Sequence, residues 1–166
     1  MRAVAERLAV APNAIYSHVA SKTALIDDVL DQVLAEVAAP DPSARDDPGS
    51  GLQQLMTATH EVLLDHPDLV PLYLARQGAR GPNAQRLGEI VLTLLAQAGV
   101  TGPAAREALR VLIVYTIGFA AFAGRLPFDG AGESPLATDE LGRNFDHGLR
   151  WLLAGITSPS ARTQSP

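Results

Sequence analysis

One long segment past the middle of the chain limits the possible fold more than any other. Over residues 103–124 apolar side chains recur at the three-to-four spacing of an α-helix, and from Val111 onward they occupy every face. A helix that is apolar all round must be covered all round, so we expect it either at the centre of a helical body or between two subunits. Gly118 and its alanine neighbours are small enough to let a partner helix approach closely.

Further apolar stripes at helical spacing precede and follow this segment, and prolines and glycines mark their ends. The predicted order is a connecting helix over 22–38, a loop over 40–51, a helix over 52–66, a short segment over 67–75, a helix from the break at 78–82 to Gly99, the helix of 103–124, and a last helix with its stripe at Leu141, Phe145, Leu149, Leu152 and Ile156. These patterns predict an all-α protein with a helical body over 52–156 and a disordered tail over 157–166.

The connecting helix carries three acidic residues, Asp27, Asp28 and Asp31, beside an apolar stripe that includes Ile26 and Leu30. Carboxylates at adjacent helical positions point apart, which makes a shared metal ion unfavourable. We therefore interpret the acidic residues as a largely solvated face.

The first 25 residues form a separate pattern of two short helices joined by a three-residue turn, the arrangement of a helix-turn-helix. Pro12 suits the first position of the second helix, because its missing N–H would be unpaired there anyway. That helix carries no acidic residue to repel phosphate, and its polar and aromatic groups are Asn13, Tyr16, Ser17 and His18. Ser21 is expected to cap a third helix, which places Lys22 in the first turn as a phosphate anchor. We assign residues 1–39 to a DNA-binding head and its connecting helix.

The run R-A-V-A-E-R-L-A-V-A-P-N-A-I-Y-S-H-V-A-S-K-T-A-L resembles the helix-turn-helix of the tetracycline repressor (TetR) family of bacterial transcriptional regulators. The positions in register are Val4, Ala5, Leu8, Val10, Ile15, Tyr16, His18, Val19, Lys22 and Leu25. The resemblance implies that Tyr16, His18 and Lys22 contact the DNA backbone. It also implies that Asn13 and Ser17 lie nearer the base edges.

The body resembles the ligand-binding domain of the same family. The runs that carry this resemblance are L-L-D-H-P-D-L-V-P-L, G-P-N-A-Q-R-L, L-A-Q-A-G-V and F-D-H-G-L-R-W-L-L-A-G-I. By that resemblance a small-molecule effector binds among the body helices, and the helices of 103–124 and 139–154 form a homodimer. We therefore expect a repressor that a ligand releases from a double-stranded DNA operator.

Three features depart from the family pattern in the head. Ala9 stands where the family has a glycine in the turn, and a left-handed alanine is strained by about 1 kcal/mol. Ala11 replaces a capping serine or threonine worth about 1 kcal/mol, so we expect weaker DNA binding. The chain also starts inside the family's second helix, so the first helix of the head is missing from the sequence. Either an internal methionine was assigned as the start or the chain is a genuine truncation, and we expect the first. The alternative is a truncated, dimeric small-molecule-binding or interaction protein that no longer binds DNA.

Composition removes other classes of protein. The chain of 166 residues has no cysteine, which excludes disulfides, thiol catalysis and thiolate zinc sites. Its net charge is -5, and only residues 1–22 are mildly basic. No charged-then-apolar leader pattern opens the sequence, so we expect no secretory signal, and the longest apolar run is shorter than the roughly 20 residues that span a membrane. We expect a cytoplasmic protein without membrane contact.

The chain shows no catalytic motif. His60 and Glu61 begin like the H-E-x-x-H zinc motif, but Leu64 stands where the second histidine must lie. A nucleophile elbow and glycine-rich phosphate loops are absent as well, so we predict that the protein is not an enzyme. The metal-coordinating histidine of the tetracycline branch has no counterpart around residues 114–116. We accordingly expect neither magnesium nor tetracycline as the natural requirement, and no other metal and no cofactor.

Polar and bulky side chains on the body helices are the candidates for a pocket. An unpaired buried hydroxyl costs about 1–3 kcal/mol, so Tyr115 and Thr116 both need partners. For Thr116 we expect the helix carbonyl four residues earlier, and for Tyr115 a protein group, a water or a ligand. Thr59 is expected to point inward, with His60 beside it facing either a pocket or solvent. The full candidate set is Met56, Thr59, His60, Gln77, Asn83, Tyr115, Thr116 and Phe119.

Overall fold

A computed structural model describes Arg7 and residues 20–43, 47–123 and 138–158. Within these ranges the chain forms six α-helices and no strand, which confirms the all-α prediction. The helices are α1 (Lys22–Val33), α2 (Pro48–Asp65), α3 (Val70–Arg76), α4 (Pro82–Gln97), α5 (Gly102–Ala123) and α6 (Thr138–Thr157). Two 3-10 turns, Leu34–Glu36 and Pro67–Leu69, follow α1 and precede α3. No helix in the described part of the chain is long and apolar enough to cross a membrane.

Capping side chains and prolines set the helix starts. The Ser21 hydroxyl accepts a hydrogen bond from the Ala24 amide at 3.0 Å, so α1 begins at Lys22 as predicted. The start of α2 differs from the prediction, because residues 48–51 are helical rather than part of a loop. There the Asp47 carboxylate accepts from the Ser50 amide at 2.8 Å, and Pro48 occupies the first turn.

The loop predicted over 40–51 is wrong from residue 48 onward, because the glycines there were interpreted as loop residues and one of them has a packing role in a helix. Gly51 is buried, and a Cβ atom placed on it would lie 3.1 Å from the Leu94 side chain. A small residue at this point lets α2 and α4 approach closely. The end of α4 agrees with the sequence, since Gly99 adopts a positive φ of 83° just beyond the helix.

The connecting helix α1 packs into the core of the body. It is shorter than predicted, since the α-helix ends at Val33 and continues only as a 3-10 turn. Leu30, Leu34 and Val37 are buried in the same apolar cluster as residues of α2, α4, α5 and α6. The end of α1 is therefore held by the body.

Helix α5 is the centre of the body but is covered on one side only within this chain. It packs against α2, α3, α4 and α6, and Ala108, Leu112 and Ala120 lie on its buried face. The opposite face is open, with Val114 exposed to 71% and Phe122 to 58%. The expectation that α5 is covered all round is thus not met within one chain.

The last helix follows its predicted stripe for three turns. Leu141, Phe145 and Leu149 are buried as expected. In the final turn Leu153 is buried and Leu152 is only partly so, which corrects the predicted register. Leu153, four residues after Leu149, lies on the buried face, whereas Leu152, three residues after Leu149, lies at its edge. Trp151, on the outer side of α6, is 77% exposed.

Candidate functional site

A cavity of about 180 Å³ lies among α2, α3, α4 and α5. Four of the predicted pocket residues line it, namely Met56, Thr59, Gln77 and Thr116. The remaining wall is mostly aliphatic, with Leu63, Leu87, Val91 and Ile117 among its residues. Sequence reasoning did not single out Tyr73 and Leu34, which also line the cavity.

Each hydroxyl in the cavity wall already donates its hydrogen to a carbonyl oxygen. Thr59 donates to the Leu55 carbonyl at 2.8 Å, and Thr116 donates to the Leu112 carbonyl at 2.9 Å, as expected for a threonine inside a helix. The Tyr73 hydroxyl donates to the Leu30 carbonyl of α1 at 2.5 Å. Burial, with the nearby Asp31 and Glu36 charges, raises the pKa of Tyr73 far above its usual value, so the hydroxyl stays protonated.

Three other candidates, His60, Tyr115 and Phe119, are not among the residues that line the cavity. They form an aromatic cluster with Phe145 between α2, α5 and α6. The Tyr115 hydroxyl donates to the Phe145 carbonyl at 2.8 Å, so its partner is a protein group. Gly148 makes room for this bond, since a Cβ atom there would overlap the Tyr115 oxygen.

His60 is 5% exposed and stacks on the Phe145 ring with the ring centres 3.9 Å apart. Its Nε2 atom is buried without a hydrogen-bond partner in the described part of the chain. Burial lowers the pKa of His60, and the Asp146 charge offsets part of that effect. The sequence left two orientations open for His60, and the structure directs the ring to the aromatic cluster rather than to the cavity or to solvent.

Asn83, the last pocket candidate, belongs to a junction between α1 and the start of α4. The Asp31 carboxylate accepts from the Asn83 amide, the Asn83 side chain and the Ala84 amide at 2.8–3.1 Å. Gly81 lies so close that a Cβ atom on it would overlap this carboxylate. Asp31 therefore caps a helix that starts about 50 residues later and has no capping side chain of its own.

A second contact joins α1 to α3. Arg76 donates two hydrogen bonds to the Asp27 carboxylate, at 2.6 and 2.7 Å. This bond to the guanidinium lowers the pKa of Asp27. Together with Asp31, Asp27 corrects the interpretation of the acidic residues as a solvated face, because both carboxylates hold α1 against the body. Only Asp28 of the three is exposed.

We refer to the contacts of Asp27, Leu30 and Asp31 with the body as the α1 junction. The sequence signal for this junction is indirect. Helix α4 begins at Pro82 directly after Gly81, and neither residue has a side chain that can accept a hydrogen bond from the free amides of the first turn. Such a start needs an acceptor from elsewhere, and an acidic residue in a distant helix supplies it.

Of the predicted DNA-contacting residues, the structure describes Lys22 alone. Lys22 is exposed in the first turn of α1, where no acidic side chain is present. Pro12, Asn13, Tyr16, Ser17 and His18 lie outside the described residues. Among the described residues no group of three or more His, Asp or Glu side chains is arranged to hold a metal ion.

The fold and the sequence match known regulators. The family model of the tetracyclin repressor-like C-terminal domain matches residues 42–127. An HTH-type transcriptional regulator of Saccharopolyspora erythraea is 30% identical over 191 residues, covering 95% of this chain and 75% of the relative.

Two solved structures share the fold over nearly the whole chain. A TetR variant from Acinetobacter baumannii AYE, in complex with minocycline, is 26% identical with a TM-score of 0.79, covering 98% of this chain and 86% of that one. The Streptomyces coelicolor TetR family protein ActR, in complex with actinorhodin, is 24% identical with a TM-score of 0.77, covering 99% and 88%.

These matches define a helical transcription regulator with a cavity in its body. The chain belongs to the tetracycline repressor family. Members of this family are dimeric, bind DNA and respond to small-molecule effectors, and the family is one of regulators rather than enzymes. The comparisons favour a regulator over the alternative of a binding protein that no longer binds DNA.

Proposed function

We propose that this chain is a homodimeric repressor that dissociates from its DNA operator when a small molecule binds in the 180 Å³ cavity. The observation that carries the proposal is the position of Tyr73. Its ring forms part of the cavity wall, and its hydroxyl holds the Leu30 carbonyl of the connecting helix. One side chain thus touches both the ligand space and the helix that leads to the head.

The head supplies the DNA contacts in this proposal. The helix that begins at Pro12 enters the major groove, with Asn13 and Ser17 toward the base edges and Tyr16, His18 and Lys22 on phosphates. The two heads of a dimer then meet half-sites about 34–36 Å apart on a near-palindromic operator. The exposed position of Lys22 at the start of α1 supports its role as a phosphate anchor.

The dimer in this proposal forms through the outer faces of α5 and α6. Val114, Phe122 and Trp151 are large apolar side chains that one chain leaves mostly exposed. Exposed apolar side chains on adjacent helices mark a contact surface for another protein, and a two-fold symmetric pair of such helices gives a four-helix interface. The family's dimeric members support a homodimer, and these three side chains lie on the helices predicted from the sequence to form it, 103–124 and 139–154.

Ligand control requires that the ligand binds one head arrangement better than the other. The α1 junction gives a physical route for such a preference. A ligand that displaces Tyr73 changes its bond to Leu30, and the neighbouring segment Gln77–Ala79, which also lines the cavity, leads directly to Gly81 and the Asp31 contact. The coupling expected for such a regulator is about 1–3 kcal/mol.

The first test of this function is DNA binding by the full chain to the region upstream of its own gene, measured by fluorescence anisotropy at several salt concentrations. Specific binding that Lys22→Ala weakens equally on specific and unrelated DNA, with the salt slope reduced by about 1, is the expected result. Arg86→Ala, which removes an exposed cation on α4 and so leaves the outer faces of α5 and α6 intact, is the control and leaves both quantities unchanged. Binding no tighter than to unrelated DNA would refute the regulator proposal.

A further inference from the structure

The wall of the cavity carries no formal charge. Among the described residues that line it there is no Asp, Glu, Lys, Arg or His. Burying an ion without a partner is far more costly than burying a neutral group. A ligand that fits this cavity in its present form is therefore neutral.

The polar groups of the wall set the hydrogen-bonding character of the ligand. A hydroxyl has one hydrogen and two lone pairs, and the single hydrogens of Thr59, Thr116 and Tyr73 are all donated to backbone carbonyls. What remains toward the cavity is lone pairs, so these three groups act as acceptors. Of the three residues Thr59 is the least buried, so we assign the ligand's hydrogen bond to its oxygen. A ligand that bonds to one of these hydroxyls must therefore bring a donor, while the Gln77 amide in the same wall can either donate to the ligand or accept from it.

The volume limits the size. Drug-sized ligands occupy pockets of about 300–1,000 Å³, whereas an apolar cavity of about 150 Å³ holds a benzene molecule. At about 180 Å³ the cavity accommodates one ring with a short substituent. A ligand of several fused rings would extend beyond this volume.

We propose that the effector is a compact, neutral, single-ring molecule with one hydroxyl group, and that this hydroxyl donates a hydrogen bond to Thr59 Oγ1. This inference rests on the proposed function, since it names the ligand class of the same cavity. The aliphatic wall covers the ring, and the orientation of the ring is set by the one hydrogen bond.

Three probes of similar size test the proposal by calorimetry on the full chain. They are 4-ethylphenol, which donates, 4-ethyltoluene, which neither donates nor accepts, and 4-ethylbenzoate, which is an anion at pH 7. We expect 4-ethylphenol to bind, and 4-ethylbenzoate to bind at least about tenfold more weakly. Tighter binding of the anion, or no binding of 4-ethylphenol at millimolar concentration, would overturn the proposal.

The role of Thr59 is tested with Thr59→Val, which keeps the shape and removes the acceptor. The preference for 4-ethylphenol over 4-ethyltoluene is expected to fall about 3–10-fold, the effect of one hydrogen bond. Thr93→Val is a matched control, because Thr93 donates to the Glu89 carbonyl four residues back in the same way but is exposed and outside the cavity wall. An unchanged preference in Thr59→Val would remove Thr59 from the ligand site.

Failure of this inference and failure of the proposed function give different results. If 4-ethylphenol binds with the expected dependence on Thr59 but leaves DNA affinity unchanged, the ligand class stands and release by cavity binding is refuted. If DNA binding is specific but the anion binds better than the phenol, the regulator stands and the ligand class is wrong.

Discussion

Asp31 and His60 are ionisable side chains buried to the same extent, each 5% exposed, yet they differ completely in their partners. The Asp31 carboxylate accepts three hydrogen bonds from Asn83 and Ala84 at the start of α4. The His60 Nε2 atom has no partner within the described residues. A buried polar group stabilises a fold only when its hydrogen bonds are made. Asp31 therefore stabilises the contact between α1 and α4, whereas the burial of His60 Nε2 lowers the stability of the fold.

The largest effect is expected from Asp31→Ala. This change leaves three donors at the start of α4 without their acceptor and opens a cavity beside Gly81. We expect the free energy of unfolding to fall by about 3 kcal/mol, since each unpaired buried donor costs about 1–3 kcal/mol and water will reach some of them. Chemical denaturation measures it. A loss below about 1 kcal/mol would contradict the conclusion that Asp31 stabilises the contact between α1 and α4.

Gly81→Ala disrupts the same contact between α1 and α4, but by a change next to α4. The new methyl group would overlap the Asp31 carboxylate and push it from its donors, with an expected loss of about 2 kcal/mol. The control is the double variant with Asp31→Ala, in which the methyl group has space and the further loss becomes small. Equal losses in both backgrounds would show that the strain at Gly81 does not come from Asp31.

His60 predicts a dependence of stability on pH. Because burial lowers the folded-state pKa of His60 below its usual 6.5, the unfolded chain takes up the proton first. Stability should therefore be full above about pH 6.5 and fall as the pH drops below it, by at most about 1.4 kcal/mol per pH unit for one proton. His60→Phe, which keeps a ring on Phe145, should flatten the curve between about pH 7 and pH 5. The same slope in both proteins would contradict this assignment.

The smallest effect is expected at the second α1 contact. Asp27 and Arg76 form a two-bond ion pair, but both side chains are partly exposed, so water and salt weaken the attraction. Asp27→Asn should reduce stability less than any change above, and the reduction should shrink at about 1 M salt. Denaturation at low and high salt measures this difference, and a loss that does not depend on salt would show that packing rather than charge holds the pair.

Local signals in the sequence predicted most of the helices correctly. Ser21, Pro67 and Gly99 each act on their own helix, and the helix ends observed there agree with the prediction. The predicted start of α2 was wrong because glycine is typical of loops. Position 51 is a glycine for another reason, the close approach of Leu94 from α4.

The site was predicted only in part for the same reason. Met56, Thr59 and Thr116 share the inward face of α2 and α5, which helical spacing reveals. His60 lies one position from Thr59 and so turns by about 100° toward α6. Asp31 and Tyr73 were missed as functional positions, since their partners lie 52 and 43 residues away. The spacing of residues within one helix does not predict partners that lie in another helix.

The most direct test of the account is the effect of a cavity ligand on DNA affinity in the wild type and in Tyr73→Phe, which keeps the ring and removes the hydroxyl. With 4-ethylphenol at saturation, the wild type should lose DNA affinity by about 5–150-fold, the range for a coupling of about 1–3 kcal/mol. Tyr73→Phe should bind the probe normally and show a clearly smaller loss, because the bond to Leu30 is gone. An identical loss in both proteins would contradict a release that passes through Tyr73.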